Sequence, residues 1–433
     1  MLSNQLGHEF ELEIQNLINC VNLSEWKDNL FSVGGFVRDY LIQRESYDID
    51  LMVTVSGGAE KLAGQLKDHF GKAMTTPLQL GAMYPIWSFE FRSGKYQGLK
   101  IDIAESQKEM FPKTDERQRI ALFGTFAEDI QRRDFTVNML VRDLTTNQII
   151  DESQTGLTDL QHKILRSHPL VDANKILSDD PLRIIRAVRF SCTHDFKIDG
   201  DLFLKMKTQA QRVEIVSVER ILLELTKIIN AGKFSQAVDL FLELNILGVL
   251  FSEAVVKRLS DHQIKTQIFN IMQNTPQSSS YQFAALFYFL QDSEIESVMA
   301  NLKLAQVIKR NINDIIDSTE ELLSINGTSF LEVRAFLRTC DLDIESLLAF
   351  ARGVSTDFDD KSFMATTTSA QAIPISKKPL LNGTEISKLL NVKGADIKKA
   401  QDLLFKIEDQ FVLENAKALP SETAQALLVE KWK

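Results

Sequence analysis

Apolar and polar positions change period along this chain, and the change separates two kinds of structure. Over the first ~150 residues, short alternating runs are interleaved with helical ones. Residues 9–22 place apolar side chains at helical spacing. Residues 31–33 read as a short strand entering the turn Gly34-Gly35, and 37–43 as the start of a helix. Residues 50–55 predict a strand with Asp48 and Asp50 at its opening, 58–70 a helix, and 87–92 and 99–103 two further strands. Residues 104–120 are polar and aperiodic, which predicts a mobile loop. From about residue 155 onward helical periodicity dominates. One polar interval, 355–379, predicts a connection between domains, and no internal repeat is visible. The expected class is α+β, a mixed strand-and-helix head followed by an extended helical remainder.

Composition narrows the possibilities. At 433 residues the chain exceeds one ordinary core, and its 44% hydrophobic and 25% charged residues are those of a folded soluble protein. No apolar run approaches the roughly 20 residues that cross a bilayer, and the N-terminus has no signal-peptide pattern. Cys20, Cys192 and Cys340 are far apart, as buried free thiols would be, so a reducing, cytoplasmic setting is expected. The formal net charge of -10 bears on solubility and steering and leaves open what one local patch binds.

The chemistry concentrates in five places. Gly34-Gly35 with Arg38 can bring backbone N–H groups and a guanidinium to a phosphate. Asp48 and Asp50, one residue apart on a strand, point to one face and can share a divalent ion; Mg²⁺ accepts one or two carboxylates completed by phosphates. Asp102, on another alternating segment, could be a third acidic ligand or a base. Arg132, Arg133, Asp134 and Asn138 combine phosphate-pairing guanidiniums with groups that hydrogen-bond a ribose. Asp179-Asp180-Pro181 opens a helix on which Asp180, Arg183, Arg186 and Arg189 recur at three-residue spacing. On such a face an aspartate accepts from an exocyclic amine and an arginine donates to a ring nitrogen. Taken singly, each has a plain reading as well: a turn, a solvated strand end, a helix terminus, an ion-pair ladder. The six histidines form no metal-ligand spacing, and no serine or cysteine nucleophile signature is present.

Together these motifs resemble the class II tRNA nucleotidyltransferases and the related bacterial poly(A) polymerases. Gly34 to Asp39 with Asp48 and Asp50 match that family's Gly-Gly-x-Val-Arg-Asp and Asp-x-Asp. Arg132 to Asn138 match its Arg-Arg-Asp-x-Thr-x-Asn, and Asp179 to Phe190 its base-reading helix. Val218-Glu219-Arg220-Ile221 with Glu224 resemble the helical motif that supports that helix, and Leu380-Leu381-Asn382-Gly383 the element opening a C-terminal domain.

The resemblance implies a polymerase-β-like catalytic head over residues 1–150 and a helical neck over 151–230. A helical body over 231–355 and an RNA-binding tail over 370–433 would follow. It implies Asp48 and Asp50 as Mg²⁺ ligands, Asp102 beside them, and a nucleotide site of Gly35, Arg38, Arg132, Arg133, Asp134, Asn138, Asp180, Arg183, Arg186 and Arg189. The implied activity is template-independent addition of CMP, CMP and AMP, from CTP and ATP, to the tRNA 3′ end by two-metal catalysis. Alternatives are an A-adding enzyme, a poly(A) polymerase, or a non-catalytic RNA-binding protein on the same scaffold. Some relatives carry a His-Asp hydrolase motif mid-chain; here Tyr288 and Phe289 stand at the equivalent place, so no hydrolase activity is expected. A mild excess of lysine near the C-terminus suits phosphate contacts, or is simply a solvated helical face. Oligomeric state is not legible.

Overall fold

The computed structural model describes residues 24–44, 48–81, 85–94, 96–110, 120–325 and 327–432. The chain divides into two compact units. One comprises the residues up to Ile228 with Gln236–Leu250, the other Ile229–Ser235 with Phe251–Lys433.

The first unit is built on a seven-stranded mixed sheet. Its strands are β1 (Leu30–Ser32), β2 (Asp48–Val53), β3 (Leu78–Leu80), β4 (Ile86–Glu90), β5 (Lys100–Glu105), β8 (Val141–Asp143) and β9 (Ile149–Ile150), in the order β3-β4-β5-β2-β1-β8-β9. β2 and β5 are parallel and the other neighbours antiparallel. Alternation along β2 divides its side chains between two faces. Ile49, Leu51 and Val53 are buried on one face, as are Ile101 and Ile103 of β5. That face receives helix α2 (Gly58–Phe70) through Leu62, Ala63 and Leu66. Gly58 has no room to spare there, since a Cβ would lie 3.1 Å from Val53. The opposite face carries Asp48, Asp50 and Met52. Met52 joins Phe31, Val33, Ile130, Met139 and Val141 in a core, while the two aspartates lie beyond its edge.

Helix α1 (Gly35–Leu41) starts two residues earlier than its apolar pattern predicts, directly after Gly34. Residues 104–120 also depart from expectation. β6 (Gln107–Met110), within this segment, pairs antiparallel with the apolar β7 (Ile120–Phe123), which begins at its end. Backbone groups hold such a ribbon together, which side-chain periodicity does not report. Residues 111–119 and the expected helix at 9–22 lie outside the described residues.

Helix α3 (Phe126–Gln131), which has a full Thr125–Glu128 capping box, precedes β8, and after β9 this unit is mostly helical. It continues through α4 (Gly156–Gln161), α5 (Ala173–Asp179), α6 (Leu182–His194), α7 (Gly200–Thr208) and α8 (Val218–Asn230). Helix α6 buries Leu182, Ile184, Ile185, Ala187, Val188 and Phe190, a stripe wide enough to lodge it within the unit.

The described residues of the second unit form helices and their connections. Phe251, Phe283 and Phe287 pack as one aromatic cluster, and Tyr288 meets Phe289 and Phe350 edge-on. Residues 355–379, expected as a linker, instead contain the helix Asp360–Gln371. Asp359 caps it, and Phe363, Thr367 and Ala370 are buried. Its threonine-rich sequence hides the apolar stripe, because burial falls on small and polar residues as well as on Phe363. A second core, Leu381, Ile386, Ala400, Leu404, Ile407, Leu419, Ala424 and Leu428, gathers the last three helices. Buried Arg334 and Arg338 both pair with Asp409, and Arg334 also donates to the carbonyls of Ala370 and Ile373. No helix among the described residues is long and apolar enough to cross a membrane.

Candidate active site

The sheet edge left open by Asp48 and Asp50 forms the floor of a cavity of about 550 Å³ in the first unit. Gly34, Gly35, Arg38, Asp48, Asp50, Arg132, Arg133, Asp134, Asn138, Asp180, Arg183, Arg186 and Arg189 all line it. Asp102 does not. Eight cationic side chains face five carboxylates around the cavity, so an acidic protein carries a locally basic pocket.

Register places Asp102 beside the pair all the same. In the parallel β2–β5 ladder Asp50 is opposite Asp102, and the two point to one face. Ser88 Oγ donates to Asp102 at 2.5 Å and Lys100 Nζ at 2.8 Å. The carboxylate of Asp50 opens to the cavity yet is ringed by protein. Burial pushes its carboxyl up to about 6, Asp102 and Asp48 add to this, and Arg133 opposes it. A carboxylate crowded by others in this way suits a cation that is not itself a side chain. Among the described residues, no three His, Cys, Asp or Glu side chains form a complete metal cage. Two carboxylates one residue apart thus stand on one strand, with Asp102 alongside on the next.

The glycine turn is required by its neighbours. Gly34 has φ +70°, and a Cβ there would lie 3.4 Å from Arg133 Nη1 and 3.5 Å from Asp50 Oδ2. Arg38, buried in α1, is fixed at both ends. Its Nη1 donates to Asn138 Oδ1 at 2.5 Å, and its Nε and Nη2 donate to Asp39 Oδ1.

Asp134 joins the head motif to the helix motif. Its carboxylate accepts from Asn138 Nδ2 and the Phe135 N–H, both at 2.9 Å, and from Arg186 Nε at 2.8 Å. Burial alone would raise this carboxyl, but the charges of Arg186 and Arg183 and the hydrogen bonds hold it at about 2. Glu224 of α8 pairs with Arg189 at 2.5 Å and Arg186 at 3.5 Å, and these charges outweigh its burial and keep it ionised. Phe190 forms an apolar floor under three guanidiniums, with Arg189 at 4.0 Å, Arg38 at 4.8 Å and Arg186 at 5.4 Å from its ring centre.

The expected base-reading pair lies at the cavity wall with protein partners of its own. Asp180 sits between α5 and α6 rather than on the helix face; it accepts from the Leu182 N–H and from Arg220 at 2.7 Å. Arg183 donates to the carbonyls of Ile176 at 2.8 Å and Arg132 at 2.6 Å.

Four residues outside the predicted site set also take part. Asp39, Arg220 and Lys227 line the cavity, and Asp129 holds two arginines from beneath. Asp129 stands three and four residues before Arg132 and Arg133, a helical spacing that signals such pairs.

A family model described as Poly A polymerase head domain matches residues 30–166. One described as Probable RNA and SrmB- binding site of polymerase A matches residues 195–257. These two matches carry a similarity to class II tRNA nucleotidyltransferases and poly(A) polymerases. The chain is 25% identical over 389 residues to the CCA-adding enzyme of Streptococcus uberis, covering 88% of each chain. It is 27% identical over 303 residues to that of Lactococcus lactis subsp. cremoris, covering 69% of each. It is 30% identical over 243 residues to tRNA nucleotidyltransferase cca1 of Schizosaccharomyces pombe, covering 54% of this chain and 48% of that one. The fold is similar to the crystal structure of the Bacillus stearothermophilus CCA-adding enzyme in complex with CTP, with TM-score 0.70, 18% identity and 97% coverage of both chains. The Thermotoga maritima CCA-adding enzyme complexed with tRNA aligns with TM-score 0.64 and 19% identity over 94% of this chain and 92% of that one.

Proposed function

We propose that this nucleotidyltransferase completes the CCA end of tRNA, adding CMP, CMP and AMP from CTP and ATP without a template. The observation that carries the reading is the single cavity in which an open carboxylate pair faces an arginine-rich wall. The similarity to CCA-adding enzymes supports it. In the reaction, the tRNA 3′-oxygen bonds to the α-phosphorus, the bond to the β-phosphate breaks, and pyrophosphate leaves.

Asp48 and Asp50 would hold Mg²⁺, completed by triphosphate oxygens, and the bound ion would supply charge compensation and acidify the primer hydroxyl. Asp102, hydrogen-bonded by Lys100 and Ser88 beside them, extends the acidic floor. Arg132 and Arg133 take phosphate oxygens, for which paired guanidiniums are well shaped. Asn138 and Asp134 hold the ribose, and the glycine turn lets the triphosphate approach the backbone near Gly35 and Arg38. Cytosine and adenine each present an amine beside a ring-nitrogen acceptor. Uracil and guanine present a carbonyl there, which an Asp180/Arg183 pair rejects. To accept from that amine, Asp180 shares or gives up its bond to Arg220. Arg186 and Arg189, fixed by Asp134 and Glu224, keep the reading helix in place. The helical remainder serves as neck, body and RNA-binding tail. The setting is cytoplasmic, which Cys192 and Cys340, neither of them in a disulfide, support.

The test uses tRNA ending at the discriminator base, incubated with CTP and ATP separately and together. Extension that stops after three residues is expected. A long ladder of A identifies a poly(A) polymerase, and addition only to tRNA ending in CC an A-adding enzyme. No incorporation at all leaves a non-catalytic RNA-binding protein.

A further inference from the structure

One buried carboxylate beneath the cavity lies outside every motif assigned above. Asp129, on α3, is 1% exposed. Its Oδ2 accepts from Arg132 Nε at 3.1 Å and Nη2 at 2.8 Å, and its Oδ1 from Arg133 Nε at 3.2 Å and Nη2 at 2.8 Å. Each oxygen thus grips one guanidinium through two donors on the same edge, which fixes the plane of both groups. Oδ2 accepts a further bond, the backbone N–H of Gln107 at 3.0 Å.

Gln107 is the first residue of β6, at the base of the β6–β7 ribbon. That base is pressed against the chain entering α3. Ser106 Oγ donates to the Gly124 carbonyl at 2.6 Å, and a Cβ on Gly124 would lie 2.6 Å from the Lys108 nitrogen. No side chain larger than hydrogen fits at 124 without moving the ribbon. One carboxylate therefore joins the ribbon's base to the two arginines that line the cavity, and Arg133 in turn reaches the glycine turn beside Asp50.

We propose that Asp129 is a positioning residue: it sets Arg132 and Arg133 for the triphosphate and makes their placement depend on the β6–β7 ribbon. A displacement at the ribbon's base pulls on the oxygen shared with Arg132, so the ribbon can adjust the phosphate-binding wall without touching the nucleotide. This rests on the proposed function only in taking the ligand to be a nucleoside triphosphate.

Two readouts on the full-length protein test it. One is CTP and ATP affinity by calorimetry, the other amide hydrogen exchange in the segment 106–110. Asp129→Asn keeps the shape but weakens the acceptor. It should lower triphosphate affinity by about tenfold or more and speed exchange at Gln107, while tRNA affinity stays within about twofold. Asp129→Glu, which restores the charge, should recover part of the affinity. If Asp129→Asn fails to fold, Asp129→Asn/Arg132→Gln relieves the unpaired cation, and exchange at Gln107 decides. Unchanged affinity, or lost affinity with Gln107 still protected, overturns the proposal. An absence of tRNA extension by the wild-type protein would instead retire the proposed function, because both readouts here are independent of turnover.

Discussion

Asp50 offers a sharp test, because its environment works against the stability of the metal-free protein. Its carboxyl stands at about 6 against an ordinary 3.8. For an acid, a raised folded-state pKa means that the fold disfavours the ionised form. The penalty is absent below about pH 4, grows as pH rises, and is complete above about pH 6. Two pH units correspond to about 3 kcal/mol, and because the carboxylate opens to solvent, screening reduces this to about 1 kcal/mol. Asp50→Asn removes the charge at nearly constant shape. In chelator-treated protein, urea unfolding at pH 8 should show the variant more stable by about 1 kcal/mol, with the difference vanishing near pH 4. Adding Mg²⁺ should reverse the order, since an ion bound only by the folded wild type stabilises it by mass action. The variant should also lose tRNA extension. Equal stabilities at pH 8, or an advantage for Asn that persists at pH 4, would refute the account of a crowded carboxylate.

Three further outcomes are expected. Asp180→Ala, assayed by extension with each nucleotide alone, should relax the choice of CTP and ATP while leaving Mg²⁺ binding intact; unaltered selectivity would rule out base reading by this residue. Asp134, held at about 2, contributes about 2 kcal/mol that is full above pH 4 and disappears as pH falls through 2; Asp134→Asn should therefore destabilise the first unit at neutral pH, and an acid-unfolding curve identical to wild type would count against it. Arg334→Met leaves Asp409 with Arg338 alone and strips the Ala370 and Ile373 carbonyls of their donor. A loss of about 3 kcal/mol is expected in urea unfolding followed by the fluorescence of Trp432, and a loss below 1 kcal/mol would show that the cluster is not needed for packing.

Much of the head was legible because its elements are locally encoded. Strand alternation around residues 48–53 and 100–105, the helix at 58–70 and the turn at Gly34 each follow from neighbours within a few positions. The ribbon strands at 107–110 and 120–123 were missed because their cohesion lies in backbone pairing. The helix at 360–371 was missed because threonine and alanine can be buried without announcing it. Asp129 was legible in principle, three and four residues from its arginines, but only its burial makes it a clamp.

The sequence by itself determined the kinds of chemistry present: two carboxylates one residue apart, a glycine turn, and arginines at helical and paired spacing. It also determined that a mixed strand-and-helix head precedes a helical remainder, since period is a property of short windows. Only the tertiary structure decided which of these groups meet. Asp50 faces Asp102 because two strands distant in sequence run parallel in one register. Arg183 rests on the carbonyls of Ile176 and Arg132, Asp180 on Arg220, and Asp129 on the base of a ribbon. Such partnerships depend on register and burial between remote segments, and the cost of leaving a buried charge unpaired selects them only once the chain has closed on itself.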